Sequence, residues 1–269
     1  MPSTCPARRW SGKPRRFSSA TTFTTPMSLR MSSVFLRAEW RSLVMINYAV
    51  DRATLDPLVP RGVELDLWEG EALVSMVGFL FLDCRVLGVP IPFHRNFQEV
   101  NLRFYVRRKI DGAWRRGVVF VREIVPRHAI ALVARIAYNE PYIALPMRHQ
   151  VPERGGHFSF EWKLAGRWNS LTAETRGEPA PIAADSAEEF IFEHYWGYTP
   201  LRDGGTMEYQ VEHPLWRVWP TESSSLDCDV AALYGARFAE PLAAKPHSAF
   251  VAEGSRISVR RGNRVLTES

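Results

Sequence analysis

From Trp40 onwards the pattern of apolar and polar positions along this chain is mostly that of β-strands. The stretch "SLVMINYAV" reads as a strand ending at Asp51, a residue suited to N-cap a short helix through "ATLDPLV" before Pro60 and Gly62 stop it. "ALVSMVGFLFLDCRVLG" is apolar throughout and broken by Gly78, which predicts a bent strand buried on both faces. Two strands flank Asp111-Gly112, a strong two-residue hairpin signal, and "AIALVARIAY" reads as a third strand. "HFSFEWKLAGRWNSLTAET" predicts a second hairpin turning near Ala165-Gly166. Ser186 and Glu189 form a capping box that opens a helix in "SAEEFIFEHYWGY". Further strands are expected in "TMEYQVEH", "HSAFVAE" and "RISVRR". The sum is one α+β domain over residues 31–269, built on a large antiparallel β-sheet or barrel with a few short helices.

The first hairpin carries the chemistry. With Asp111 and Gly112 at the centre of the turn, Ile110 pairs with Ala113, Arg103 with Phe120, Asn101 with Arg122, and Glu99 with Ile124. Glu99, Asn101, Arg103 and Arg122 then share one face, while Glu123 points to the other, opposite Val100. Val118, Phe120 and Ile124 fall on the polar set's face. A strand apolar on both sides is covered on both sides, so the pattern points to a partly enclosed polar cavity rather than a solvated face. Glu123 is expected to be desolvated, its carboxyl raised unless a cation such as Arg135 pairs with it. A structural ion pair would explain Glu123 as well as catalysis would.

Charge narrows the partners. The 269 residues carry a formal charge of +5. Six of the 34 basic residues lie in 1–30, where no acid occurs, which leaves 28 basic against 29 acidic side chains after it. A near-neutral domain gains little from counterion release, so nucleic acid is not expected. Residues 1–30 are expected to be disordered, and read either as an organellar transit peptide or as the product of a start codon placed too far upstream. No apolar run is long enough for a membrane span. Cys5, Cys84 and Cys228 are odd in number and far apart, which fits a reducing, cytoplasmic setting better than a disulfide scaffold. Homo-oligomerisation stays open.

The familiar cofactor motifs are missing: no Walker loop, no dinucleotide fingerprint, no serine-hydrolase elbow. His94 with Glu99, or His149 with His157, is too loosely spaced to argue for metal. Arg107, Arg108, Lys109, Arg115 and Arg116 cluster at the hairpin tip and read as solvated charge. His194, Tyr195 and Trp196, expected at the helix end, read as packing rather than a ligand cage.

Several blocks together resemble the YqjF-like family, a domain of unknown function: "WRSLVMINYAVDRATLDPLVPRGVELD", "VNLRFYV", "RRGVVFVREIVPRHAIA", "EHYWGYT", "VEHPLW", "LYG" and "AEGSRISV". That family is distantly similar to acetoacetate decarboxylase, and "VREIVPRHA" resembles the decarboxylase segment "GREI…PKK". The resemblance implies an antiparallel β fold of that type, an enclosed cavity, and no metal or organic cofactor. It also implies a departure. Acetoacetate decarboxylase works through a lysine Schiff base, with a second lysine lowering the pKa of the first. Here the lysine pair is replaced by Arg127 and His128, or by Ala129 and Ile130 in an ungapped alignment. After the first 30 residues only Lys109, Lys163 and Lys245 remain, and arginine stays protonated and forms no imine. Arg41, Arg122 and Glu123 match the surviving pattern, and Glu99 matches an acidic position approximately. The expected ligand is a small organic acid or oxo-compound held by Arg41, Glu99, Asn101, Arg103, Arg122, Glu123 and His128, with His128 or Glu99 as acid–base group. The competing expectation is a cavity filled by side chains in a non-catalytic protein acting through surface contacts.

The N-terminal segment yields a first prediction. Removing residues 1–30 is expected to leave the thermal midpoint within a degree or two, as read by scanning calorimetry, because the segment lacks apolar residues at core spacing.

Overall fold

The computed structural model describes residues 33–90 and 93–265, except the side chains of 133–135, 137 and 138, and residues 1–30 therefore lie outside it. Seven strands form a closed ring: β1 (Val34–Val50), β2 (Ala72–Val86), β3 (Phe97–Ile110), β4 (Ala113–Val125), β5 (Trp196–Pro200), β6 (Thr206–Glu212) and β7 (Ser248–Arg260). Each strand pairs with the next, and β7 returns to β1. All these pairings are antiparallel except β4–β5, so the sheet is mixed. A parallel junction cannot be closed by a tight turn. Residues 126–195 make that crossover, and much of the remaining structure lies in it.

Both faces of the ring strands are apolar because both are covered. Met45, Val77, Phe79, Tyr105, Val118 and Phe250 point inwards, towards Phe190, Ile191 and Phe192 of a short helix. Val44, Ile46, Met76, Val100, Leu102 and Phe104 point outwards, against Phe158, Phe160, Trp162 and Leu171. Those outer residues belong to the hairpin His157–Leu164 and Arg167–Thr175, which joins β7 through the strand Arg217–Asp227. Gly78 sits where the layers come closest. A Cβ there would lie 2.8 Å from the Phe160 ring.

Local signals placed the turns correctly. Asp111 (φ 50°) and Gly112 (φ 83°) make the first hairpin turn, and Ala165 (φ 48°) and Gly166 (φ 86°) the second. Asp51 accepts from Ala53 N at 2.8 Å at the head of α1 (Arg52–Leu55). Ser186 Oγ accepts from Glu189 N at 3.2 Å, and Glu189 reaches back to Asp185 N at 2.7 Å.

Three expectations are overturned. "AIALVARIAY" lies in helix α2 (His128–Tyr138), not a strand. A continuous apolar run does not separate the two states, and here alanine's helix propensity and the Asn139 terminus (φ 57°) decide it. Helix α3 (Ala187–Phe192) stops before His194, and Trp196 opens β5 instead of ending a helix. The basic hairpin tip is paired rather than merely solvated. Arg107 meets Glu64 at 2.8 Å, Arg108 and Arg115 each meet Glu208 at 3.0 Å, and Arg116 meets Asp66 at 2.7 Å.

The hairpin register also differs, with larger consequences. Pairing runs as expected from Ile110–Ala113 to Arg103–Phe120, then shifts, so that Leu102 faces Arg122, Asn101 faces Glu123 and Val100 faces Ile124. Val121 is the extra residue of a β-bulge. Beyond it every side chain of β4 changes face.

Gly78→Val tests the layer contact. Overpacking against Phe160 is expected to cost about 1–3 kcal/mol in urea unfolding, with the dependence on denaturant unchanged.

Candidate functional site

Alternation along β3 sends Phe97, Glu99, Asn101 and Arg103 into the ring. On β4, Val118 and Phe120 point inwards. After the bulge, Glu123 does too. Glu140 follows α2, and Tyr142 opens a short strand, Tyr142–Ala144, that runs parallel to β4 with Tyr142 beside Glu123. These side chains line one end of a cavity of about 190 Å³ whose walls include Trp40, Phe79, Phe81, Phe97, Phe120, Phe192 and Trp216.

Three carboxyl groups are buried here: Glu99 and Glu123 at 2% exposure and Glu140 at 4%. Glu99 accepts from Asn101 Nδ2 at 2.9 Å and from the Tyr142 hydroxyl at 2.9 Å. Glu140 Oε1 accepts from Thr199 Oγ1 at 2.6 Å and from the Tyr209 hydroxyl at 2.7 Å. Burial pushes Glu99 up to about 7, against the pull of Asn101, Tyr142 and the Arg103 charge. Glu140 is likewise raised to about 7, chiefly by burial. Glu123 is raised furthest, by burial first and then by the neighbouring Glu140 and Glu99. Among the described residues Arg103 Nε, Asn101 Oδ1, Glu123 Oε2 and Glu140 Oε2 are buried without a hydrogen-bond partner. Unpaired buried polar atoms cost stability.

The structure brings together Glu99, Asn101, Arg103 and Glu123, and leaves the other three candidates outside. Arg122 points to the outer face, near Tyr234 of α4 (Val230–Tyr234), because the Val121 bulge exchanges it with Glu123. Arg41 meets Glu39 at 2.8 Å and Gly254 O at 3.3 Å, with 40% of its side chain exposed. Trp40 and Leu43 line the cavity on either side of it, since β1 carries its own irregularity against β2 between Arg41 and Val44. His128 is exposed at the start of α2; Ala129 and Ile130 reach the cavity instead. The side chain of Arg135, considered above as a partner for Glu123, lies outside the described residues.

Sequence reasoning missed Glu140, Tyr142, Thr199 and Tyr209. Glu140 and Tyr142 flank Pro141 in a connection with no periodicity, where nothing separates a buried acid from a solvated one. It also read His194 only as packing. That ring is buried, with Nδ1 2.6 Å from Phe190 O and Nε2 3.1 Å from Asp66 Oδ2. Burial drives it down to about 4 despite the pull of Asp66. Asp66 in turn holds Arg116, so His194 belongs to a buried network while lining the cavity. Among the described residues no group of three or more His, Cys, Asp or Glu side chains is arranged to hold a metal ion. No helix among the described residues is long and apolar enough to cross a membrane.

This architecture defines a class. The fold is that of the acetoacetate-decarboxylase-like proteins. The chain superimposes on acetoacetate decarboxylase from Legionella pneumophila subsp. pneumophila str. Philadelphia 1 with a TM-score of 0.61 and 16% identity, covering 91% of this chain and 93% of that one. Against the enduracididine biosynthesis enzyme MppR complexed with pyruvate the TM-score is 0.59 at 14% identity, covering 94% and 98%. Within that class the chain belongs to the DUF2071 family of uncharacterised conserved proteins, whose model matches residues 37–256. It is 30% identical over 186 residues to the uncharacterised protein YqjF of Bacillus subtilis (strain 168), across 66% of this chain and 73% of that one.

A pH dependence follows from the buried acids. Glu99 and Glu140 have folded-state values above the ordinary 4.5, so between about 4.5 and 7 the folded protein binds more protons than the unfolded chain. Their contribution to stability therefore falls as pH rises through that window, and Glu123 extends the fall to higher pH. Glu123→Gln is expected to gain on the wild type by on the order of 1–3 kcal/mol between pH 5 and pH 8 in urea unfolding. A difference independent of pH would show that Glu123 is not held protonated.

Proposed function

We propose that the cavity binds a small oxo-compound, or an organic acid carrying an oxo group, and moves protons on it without a covalent imine. The observation that carries this reading is the meeting of Glu99, Glu123 and Arg103 at one end of an otherwise apolar void, with buried polar atoms unpartnered in the protein. In a dry cavity a protonated carboxyl donates strongly to a carbonyl oxygen, and an ionised one takes a proton from the carbon beside it. A void of about 190 Å³ exceeds the ~150 Å³ cavities known to take benzene, which sets a ligand of roughly six to nine non-hydrogen atoms. The fold relatives agree in kind: one is named for acetoacetate and another is held with pyruvate, both small oxo-acids. The void also favours this reading over a cavity filled by side chains.

None of the three lysines after residue 30 is among the lining residues. Lys109 stands next to the Trp114 ring at 5.7 Å, Lys163 next to the Trp168 ring at 5.9 Å, and Lys245 is exposed. Borohydride reduction in the presence of acetoacetate is therefore expected to leave the protein mass unchanged, whereas a stoichiometric adduct would replace this reading with imine chemistry.

With Arg41 and Arg122 outside, Arg103 is the arginine left to meet a ligand carboxylate. Arg103→Met is expected to weaken acetoacetate binding at least ~10-fold by calorimetry, and acetone binding much less. Affinity for acetoacetate should fall as pH rises through about 7, where Glu99 and Glu140 gain charge. Equal losses for acid and ketone would remove Arg103 from the anion contact.

A further inference from the structure

The short strand Tyr142–Ala144 runs parallel to β4 and pairs Tyr142 with Glu123, which sets the phenol between the Glu123 and Glu99 carboxyl groups. Its hydroxyl donates to Glu99 Oε2 at 2.9 Å, while the Glu123 carboxyl stands beside it in register with one oxygen buried and without a hydrogen-bond partner. A phenol has one proton to give and lone pairs that accept. It cannot donate to two carboxylates at once, and burial together with both carboxyls disfavours its own ionisation. All three groups are satisfied together only when one carboxyl carries the second proton. Asn101 Nδ2 at 2.9 Å and the Arg103 charge support a negative Glu99. Glu123 faces Glu140 and Glu99, both acidic, so the extra proton belongs on Glu123.

Building on the reading of the cavity as an acid–base site, we infer that Tyr142 is a positioning residue that keeps Glu99 ionised and Glu123 protonated, and returns the proton between them after each turnover. The substrate class narrows accordingly, to oxo-compounds with a hydrogen on the carbon next to the carbonyl. Glu99 takes that hydrogen as a proton while Glu123 gives its own to the carbonyl oxygen, so ketone becomes enol and the total number of protons is unchanged. The protein resets when Glu99 passes its proton to the Tyr142 oxygen as the phenol proton moves to Glu123. The phenol ends as it began. Tyr209, Cys84, His94, His194 and His213 are the remaining titratable side chains on the cavity wall, and burial drives His194 and His213 down to about 4.

The test is carboxyl 13C NMR of the full-length protein labelled at glutamate, with Glu99 and Glu123 assigned through Glu99→Gln and Glu123→Gln. In the wild type Glu99 is expected to titrate at lower pH than Glu123, and the reverse order overturns the inference without any change at Tyr142. In Tyr142→Phe, Glu99 loses a donor and Glu123 an acceptor, so the two titrations should move towards each other. An unchanged gap assigns Tyr142 to packing, and a rise in Glu123 shows that the phenol donates there; either result overturns the inference. Exchange of the acetone methyl hydrogens in heavy water gives the second readout. Tyr142→Phe is expected to lower kcat by on the order of 100-fold with KM little changed. The NMR needs no ligand, so a narrowed gap without exchange in the wild type rejects the proton-transfer function while the protonation pattern stands.

Discussion

Val121 has no partner across the β3–β4 hairpin, and the side chains before and after it consequently alternate out of phase. The bulge exchanges an arginine for a carboxylic acid inside the ring. Without it Arg122 would face Glu99 and Asn101, and the cavity would hold Arg122 and Arg103 beside Glu99 and Glu140. With it, Glu123 enters beside Glu99 and comes into register with Tyr142, so the acidic cluster exists because one residue is unpaired. Bulges recur where a strand must re-aim a side chain, and the irregularity in β1 that leaves Arg41 outside is of the same kind.

Burying three carboxyls works against the fold, and the surroundings limit the cost in two ways. Hydroxyls and an amide are aimed at Glu99 and Glu140, which supports their charge, while Glu123 avoids charge by keeping its proton. The ring around them is laced across four strands away from that cluster. Tyr105 donates to Ser75 at 2.5 Å, Ser75 to Asn47 Oδ1 at 2.5 Å, and Asn47 Nδ2 to Ser248 Oγ at 2.9 Å. A connected buried network of this type holds strand register against the strain of a polar interior.

Features set by a few neighbouring residues were legible in the sequence. Asp111-Gly112, Asp51 and Ser186-x-x-Glu189 each act through the backbone within a few positions, and each is where it was expected. So is the two-sided burial of β2 and β3, because alternation reports on both faces of a strand at once. The bulge was not legible, since Val121 looks like any other apolar strand residue and the shift is settled by long-range fit around the ring. Helix α2 was misread because an apolar run rich in alanine satisfies either state. Of the seven site candidates, the three on β3 point into the cavity through simple alternation. Glu123 joins them only through the bulge, while Arg41, Arg122 and His128 lie outside. Glu140 and Tyr142 come from the crossover, where no periodicity predicts position.

The ring has two thin seams, both on the same hairpin. The hairpin of β5 and β6 is stitched to its ring neighbours by two residue pairs on the β4 side, Trp196–Gly117 and Gly197–Val118, and by two on the β7 side, Val211–Val259 and Glu212–Ser258, while Met207 and Glu208 also pair with Arg264 and Asn263. By contrast, eleven pairs join β3 to β4. Glycine is obligatory at the first seam, where a Cβ on Gly117 would lie 2.5 Å from Trp196 O and one on Gly197 would lie 2.1 Å from the Tyr209 ring. Few ladder pairs thus fix this hairpin in the ring. It also carries Thr199 and Tyr209, the two hydroxyls that hold Glu140. Both hydroxyls that donate to Glu140 therefore reach it on one hairpin, so the register of that hairpin sets the support for the Glu140 charge.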